Sequence, residues 1–272
     1  MPSNTEITVS QLFRLVGLPH APTIVDVRSA EDFEADRRLL PAAVRRDALS
    51  VTDWASDFAG HHVVVVCQRG SKLSQGVAAW LLHHGIKAET LEGGFEAWRA
   101  GNGLLVRTEE LPPRDGGGRT RWVTRGRPKV DRIACPWLIR RFIDAKAVFL
   151  FVAASEVNAV AERFDATAFD IDGVFWSHRG ERCTFDTMIE EFGLSSEPLD
   201  RLATIVRAAD TARLDLVPQA AGFLAALLGL SRMFRDDLEQ LEAGLRLCDA
   251  FYRWSRDAAE ETHNWPAGQK PA

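Results

Sequence analysis

The chain of 272 residues has few cysteines, and no two of them lie close together. A sequence without a Cys-x-x-Cys pair argues against a disulfide framework and against a zinc finger. The sequence also lacks a basic start followed by a long apolar run, and no apolar stretch reaches transmembrane length. We therefore expect a cytoplasmic protein that has no membrane partner. Its four cysteines are Cys67, Cys135, Cys183 and Cys248.

Positive charge is not in excess, since the formal net charge is -5 at pH 7. No predicted helix presents a dense basic stripe with base-reading residues, so DNA is not an expected partner. With 46% hydrophobic and 26% charged residues the chain has the composition of an ordinary globular protein, and its length suggests about two domains. Residues 108–150 nevertheless hold ten basic and five acidic side chains. This basic segment predicts either pairing with the acidic remainder of the chain or an anion site.

Residues 63–85 combine a buried strand, a short loop and a helix. The four valines at 63–66 are typical of a buried strand, which delivers Cys67 to the start of the loop. Unpaired N–H groups and the helix dipole at such a point favour thiolate over thiol. A packing role is the alternative for a lone buried cysteine, but the composition of the loop favours a reactive one. The loop consists of Gln68, Arg69, Gly70, Ser71 and Lys72.

Strand and helix patterns alternate through the first hundred residues. Strands are predicted at 7–9, 23–27, 63–66 and 89–91, with helices at 10–16, 30–34 and 95–99 and a further one after the Cys67 loop. Such alternation predicts a parallel sheet with helices on both faces. Sites in these sheets form at the carboxyl ends of the strands, where Cys67 lies.

Three segments in this order carry a family resemblance: IVDVRSAEDF (24–33), CQRGSK (67–72) and LEGGFEAW (91–98). Together they resemble a single-domain rhodanese. The resemblance implies a sulfurtransferase in which Cys67 takes a sulfane sulfur from thiosulfate or a similar donor, becomes a persulfide, and passes the sulfur to a thiol or a cyanide-like acceptor. It implies no cofactor for this reaction.

The same resemblance assigns roles to the neighbouring residues. The loop from Cys67 to Lys72 would wrap its amides round the sulfur anion, and Arg69 and Lys72 would stabilise charge on the donor and in the transition state. In the family, the pair that Asp26 and Arg28 match braces the active-site loop; the alternative, which we favour, is a purely structural ion pair. Many rhodaneses have arginine where this chain has Lys72, and lysine lacks the planar fork that holds an oxyanion at two points.

Residues 106–120 contain two prolines and three consecutive glycines, which is typical of a linker. We predict a first domain at 1–107, a linker at 108–120 and a second domain at 121–265. A long surface loop inside a single domain is the alternative.

Beyond residue 120 the sequence predicts an α+β domain that is mostly helical. Strands are expected at 121–124 and 148–152, and a hairpin of short strands at 168–171 and 174–176 around Asp172-Gly173. Helices are expected at 136–143, 197–210, 217–230 and 234–258.

A second group of chemically active side chains lies close together in the sequence: His178, Glu181 and Cys183, with the carboxylates Asp170, Asp172 and Asp186 nearby. Imidazole, carboxylate and thiolate groups all bind zinc or iron, so these residues, with Asp210, are candidate metal ligands. His263 is a more distant candidate. The alternative is a hydrogen-bonded structural histidine and a packing cysteine.

The segments 122–152, FDIDGVFWSHRGERCTFD (169–186) and IVRAADTARLD (205–215) resemble the C-terminal domain of ChrB chromate-resistance proteins. The resemblance implies a role in chromate or oxyanion stress. A basic run that includes Arg125 and Arg132 would suit a divalent oxyanion such as chromate, and a solvated or inter-domain face is the alternative.

The sequence therefore predicts a rhodanese-type sulfurtransferase joined to a chromate-resistance domain. The alternative function is a chromate- or redox-responsive sensor that also binds a metal, with the rhodanese-like part acting as an anion-binding or sensing module.

Overall fold

The structure is a computed structural model that describes residues 5–261, so that His263 lies outside the described residues. A parallel five-stranded sheet forms its first part, with the strand order β1-β5-β4-β2-β3. The strands are β1 (Glu6–Ile7), β2 (Thr23–Asp26), β3 (Val44–Arg45), β4 (His62–Val66) and β5 (Lys87–Leu91).

Helices connect these strands and cover the sheet. They are α1 (Val9–Leu15), α2 (Ala30–Ala35), α3 (Val51–Trp54), α4 (Lys72–His83) and α5 (Gly94–Ala100), with 3-10 turns at Ala48–Ser50 and Ala55–Phe58.

Both faces of the first sheet are buried. Val64 of β4 packs in the same apolar cluster as Phe95 of α5. The next residue, Val65, points to the opposite face and packs in the cluster that contains Leu81 of α4. A strand buried on two sides explains the run of four valines, and the prediction of a parallel sheet with helices on both faces is confirmed.

A parallel three-stranded sheet follows, in the order β7-β6-β8. Its strands are β6 (Arg121–Arg125), β7 (Val148–Val152) and β8 (Thr167–Ala168). The hairpin predicted around Asp172-Gly173 is wrong, because Phe169 and Trp176 meet in an isolated parallel bridge. Asp170 has a left-handed backbone with φ of 52°. Its buried carboxylate contacts Thr184 and Arg132. The path of this segment is therefore set by tertiary contacts and not by the turn residues.

The rest of the second part is mostly helical, as predicted. A π-helical turn at Ile139–Ile143 continues α6, and 3-10 turns lie at Ala154–Glu156 and Leu214–Leu216. The helices are α6 (Asp131–Leu138), α7 (Val157–Phe164), α8 (Thr184–Phe192), α9 (Glu197–Asp210), α10 (Gln219–Met233) and α11 (Asp237–Asp257). The described residues include no helix long and apolar enough to cross a membrane.

The two parts share one apolar cluster. Trp98 of α5 and Trp137 of α6 both belong to it. The Ala42 amide donates to the Phe142 carbonyl at 2.6 Å, and the Arg107 amide donates to the Phe192 carbonyl at 2.9 Å. The boundaries at residues 107 and 121 stay a prediction.

Candidate functional site

Cys67 lies between the end of β4 and the start of α4. Its Sγ accepts a hydrogen bond from the Ser71 amide at 3.3 Å and lies 3.2 Å from the Ser74 hydroxyl. The side chain sits in the core beside the sheet, and the residue is only 3% exposed. The strand therefore brings the sulfur to the point where free N–H groups of the loop and helix are concentrated.

The pKa of Cys67 lies below that of an ordinary thiol. Burial raises this pKa, but hydrogen bonds from the Ser74 side chain and from the amides of Ser74, Ser71 and Arg69 outweigh it. The other three cysteines are also free and buried, and burial raises the pKa of each of them: Cys135, Cys183 and Cys248. Cys67 is thus the cysteine whose surroundings favour a thiolate.

The Cys67 loop packs tightly against the start of α5. The Phe95 amide donates to the Cys67 carbonyl at 2.9 Å, and the Glu96 amide donates to the Gln68 carbonyl at 3.1 Å. Gly94 has φ of +60°, and a Cβ there would overlap the Cys67 carbonyl oxygen. Glycine at this position permits both the left-handed backbone and the close approach of the loop.

The two cations of the loop have different surroundings. The Arg69 Nε lies 3.3 Å from Glu96 Oε1, and the Arg69 side chain is 78% exposed. The Gln68 amide also donates to Glu96 Oε1, at 3.2 Å. Lys72 is exposed and has no ion pair among the described residues. Glu96 therefore offsets the charge of Arg69, whereas that of Lys72 is available to an incoming anion.

Asp26 and Arg28 form a buried ion pair under the loop. The Arg28 Nε donates to Asp26 Oδ2 at 2.8 Å. The guanidinium also lies 3.8 Å from the centre of the Phe95 ring, and the Phe95 amide holds the Cys67 carbonyl. The pair therefore acts on the loop through Phe95 and does not touch the sulfur.

His178 stands among three carboxylates in the second part of the chain. Its Nε2 lies 3.1 Å from Asp210 Oδ2, 3.4 Å from Asp131 Oδ2 and 3.6 Å from Asp170 Oδ1. Asp131 is the first residue of α6, Asp170 follows β8, and Asp210 is the last residue of α9. We call these four residues the Asp–His cluster. Ligand atoms of Asp131, Asp170 and His178 lie within 4.8 Å of one another.

The metal set predicted from the sequence is only partly assembled, since His178 and Asp210 meet but Glu181 does not join them. Glu181 lies in the turn closed by the Arg179–Arg182 bridge, its side chain is 86% exposed, and it pairs with Arg213 at 3.1 Å.

Cys183 borders the cluster, since a hydrogen bond from its side chain to Asp131 acts to lower the pKa of that carboxyl against the larger effect of burial. It caps the start of α8, where its sulfur accepts the Asp186 amide while the Asp186 carboxylate accepts the Cys183 amide. The sequence reasoning named Asp170 among the carboxylates near His178 but missed Asp131 as a member. Both lie in segments already singled out, but only tertiary packing brings them to His178.

The two arginines predicted to bind an oxyanion both face Asp170. Arg132 Nε lies 3.3 Å and an Arg125 guanidinium nitrogen 3.5 Å from Asp170 Oδ2. Asp170 thus occupies the place in which these arginines were expected to hold an external anion.

The cluster changes the proton affinity of its members. Hydrogen bonds to Asp131 and Asp170 raise the pKa of His178 to about 10. Burial, followed by the charges of Asp131 and Asp170, raises the pKa of Asp210 to about 7. Burial also raises the pKa of Asp131. A cation at this point therefore relieves repulsion among the carboxylates.

Family models match both parts of the chain. Residues 10–101 match the rhodanese-like domain, and residues 122–255 match the C-terminal domain of ChrB. A curated relative, protein ChrB of Cupriavidus metallidurans, is 39% identical over 133 residues. That match covers 48% of this chain and 39% of the relative, so the chain spans well under half of the relative's length.

Solved structures similar to the first part include two rhodanese-related proteins. The rhodanese-like domain protein of Staphylococcus aureus is 29% identical, with a TM-score of 0.32 over 35% of this chain and 90% of that one. A rhodanese-related protein of Thermoplasma volcanium is 20% identical, with a TM-score of 0.33 over 38% of this chain and 97% of that one. Because both TM-scores are below 0.5, the fold assignment rests on the strand order and the family model. The chain thus matches the rhodanese-like family model in its first part and the ChrB C-terminal family model in its second part.

Proposed function

We propose that the protein is a rhodanese-type sulfurtransferase in which Cys67 carries sulfane sulfur, and that it serves chromate resistance through its ChrB C-terminal domain. The observation that carries the proposal is the contrast among the four cysteines. Hydrogen bonds lower the pKa of Cys67, whereas burial raises the pKa of the other three.

The reaction follows from a thiolate at Cys67. The thiolate attacks the sulfane sulfur of thiosulfate, the sulfur–sulfur bond of the donor breaks, and sulfite leaves with the bonding electron pair. The persulfide then gives its outer sulfur to a thiol or to cyanide, and the Cys67 thiolate is restored. No step requires a cofactor.

The loop supplies the charge stabilisation that this reaction needs. Both the thiolate and the persulfide are anions, and the Ser71 amide and Ser74 hydroxyl lie at hydrogen-bond distance from Sγ. Lys72 is the exposed and unpaired cation of the loop among the described residues, so it is suited to draw in a doubly charged donor.

Mass spectrometry tests the proposal directly. The reduced protein is treated with thiosulfate, digested and analysed for peptides that have gained one sulfur atom. We expect the gain on the Cys67 peptide, its loss in Cys67→Ser, and its retention in Cys183→Ser. A protein that forms no persulfide on Cys67 with thiosulfate or with another persulfide donor overturns the proposal.

A redox-responsive sensor is the second candidate, because the lowered pKa of Cys67 also favours oxidation of its sulfur. The two functions separate in a thiosulfate:cyanide assay. Repeated turnover to thiocyanate supports the transferase. Oxidation of Cys67 by chromate or peroxide without such turnover supports the sensor.

A further inference from the structure

We propose that the Asp–His cluster binds one divalent first-row transition-metal ion through Asp131, Asp170 and His178, whose ligand atoms lie within 4.8 Å of one another, with Asp210 beside the imidazole. This ligand set differs from the one expected from the sequence, because it excludes Glu181 and Cys183. It is also independent of the sulfur-transfer proposal.

The spacing of the ligand atoms fits a metal centre. Zinc binds imidazole nitrogen and carboxylate oxygen at about 2.0–2.2 Å, so adjacent ligands of a tetrahedral ion lie roughly 3.4 Å apart. His178 Nε2 lies 3.1, 3.4 and 3.6 Å from oxygens of Asp210, Asp131 and Asp170. The nitrogen therefore stands at ligand-to-ligand distance from Asp131 and Asp170, whereas Asp210 lies outside the group of ligand atoms that are within 4.8 Å of one another.

Asp131 provides an independent indication of a ligand. The residue is 1% exposed, and its Oδ1 is buried without a hydrogen-bond partner. Buried carboxylate oxygens are rarely left unsatisfied, and such an atom in a native structure points to an ion or a polar group that is missing from it. A metal ion would satisfy it.

The carboxylates are oriented by a surrounding shell of donors. The Thr184 amide donates to Asp131 Oδ2 at 2.6 Å, and the Thr184 hydroxyl donates to Asp170 Oδ1 at 3.0 Å. Outer contacts of this kind fix the geometry of metal ligands before the ion arrives.

The charge of the cluster also leaves room for a divalent cation. Arg125 and Arg132 lie beside Asp170 and offset its charge. Within residues 5–261, Asp131 and Asp210 have ion-pair contacts with His178 alone. With His178 neutral, the two negative charges of Asp131 and Asp210 would balance the two positive charges of a bound dication.

The donor set selects the kind of metal. Two carboxylates and one imidazole suit Mn²⁺, Fe²⁺ or Zn²⁺ and give no preference for a thiolate-binding ion. The His178 side chain is 40% exposed, so an ion from solvent can reach the cluster. Cys183 is 0% exposed and engaged in capping α8.

Titration of untagged, chelator-treated full-length protein with Zn²⁺ and with Mn²⁺ tests the site by calorimetry and elemental analysis. We expect one ion per chain, and a melting temperature that rises when the ion is added. His178→Ala and Asp170→Asn should each weaken binding at least tenfold and remove the rise. Glu181→Gln is the matched control, and it should bind like the original protein.

Several outcomes would overturn the proposal: no binding of either ion, unchanged binding in both His178→Ala and Asp170→Asn, or loss of binding in Glu181→Gln. Circular dichroism checks that each variant folds, and Asp170→Asn alone decides the matter if His178→Ala does not fold. Substitution with Co²⁺ adds a spectroscopic test, since a thiolate-to-cobalt charge-transfer band would make a cysteine a ligand and contradict the ligand set.

Discussion

Cys67 and Cys183 stand in similar places in the two parts of the molecule, yet their surroundings act on them in opposite directions. Each is buried, each lies at the start of a helix, and each sulfur accepts a backbone amide. Hydrogen bonds lower the pKa of Cys67, whereas burial and the charges of Asp131 and Asp186 raise the pKa of Cys183.

The difference shows that a helix N-terminus alone does not make a cysteine reactive. Around Cys67 the neighbouring groups that act on the sulfur are donors, namely the Ser74 hydroxyl and three amides. Around Cys183 burial, followed by the charges of Asp131 and Asp186, opposes ionisation and exceeds the effect of the single amide. The donors that offset burial, together with the nearby carboxylates, decide which cysteine ionises.

Alkylation at neutral pH gives the largest expected effect. Iodoacetamide should label one thiol of the folded protein rapidly, and Cys67→Ser should abolish this fast phase. Cys183→Ser should leave its rate unchanged, because the raised pKa of Cys183 keeps that sulfur protonated. Peptide mapping of the labelled protein identifies the site. Rapid labelling of Cys183 would contradict the opposite pKa shifts of the two cysteines.

The packing of the Cys67 loop on α5 should be sensitive to one methyl group. Gly94→Ala places a Cβ against the Cys67 carbonyl and forces alanine into a left-handed conformation. We expect a loss of about 3 kcal/mol in the free energy of unfolding, measured in urea.

Gly76→Ala is the control for Gly94→Ala. Gly76 lies inside α4, and a Cβ there has open space around it. This substitution should stabilise the protein by roughly 0.5–1 kcal/mol. Equal effects at the two glycines would mean that the loop is not held by close packing.

Ser74→Ala tests the hydrogen bond that lowers the pKa of Cys67. Thiolate is lost as the pH falls through this pKa, so the alkylation rate of the variant should begin to fall at a higher pH. A hydrogen bond to a charged group contributes about 1.5–3 kcal/mol, which predicts a rate roughly tenfold lower at pH 7. Ser71→Ala keeps its amide and should retain the original pH profile.

Lys72 should have the smallest effect, because its charge is exposed and screened by solvent. Lys72→Ala should reduce the rate of sulfur transfer from thiosulfate a few-fold, and Lys72→Arg should reduce it less because it keeps the charge. The difference should shrink at high salt. A salt-independent effect would show that Lys72 acts through packing instead.

The Cys67 loop was predictable because its parts are contiguous. A valine strand, a loop from Cys67 to Lys72 and a helix follow one another, and local pattern is enough to place the sulfur at the strand end. The fold of the first sheet followed from the same alternation of strands and helices.

The Asp–His cluster was only half predictable. Its members come from the start of α6, the end of β8, a loop and the end of α9, and sequence spacing favoured Glu181 and Cys183 instead. Which carboxylate reaches His178 depends on helix packing in three dimensions, and the turn at Arg179–Arg182 carries Glu181 outward. Residues that lie close together in the sequence were therefore predicted to be neighbours, although the fold separates them.

Gly17 illustrates how closely the first part of the chain fits against the second. A Cβ at this glycine would press on the rings of Phe142 and Tyr252, and Arg256 donates to the Val16 carbonyl at 3.3 Å. Expression of either part by itself would expose an aromatic surface to solvent and promote aggregation. We therefore expect that neither part can be exchanged for the corresponding domain of another protein without loss of stability.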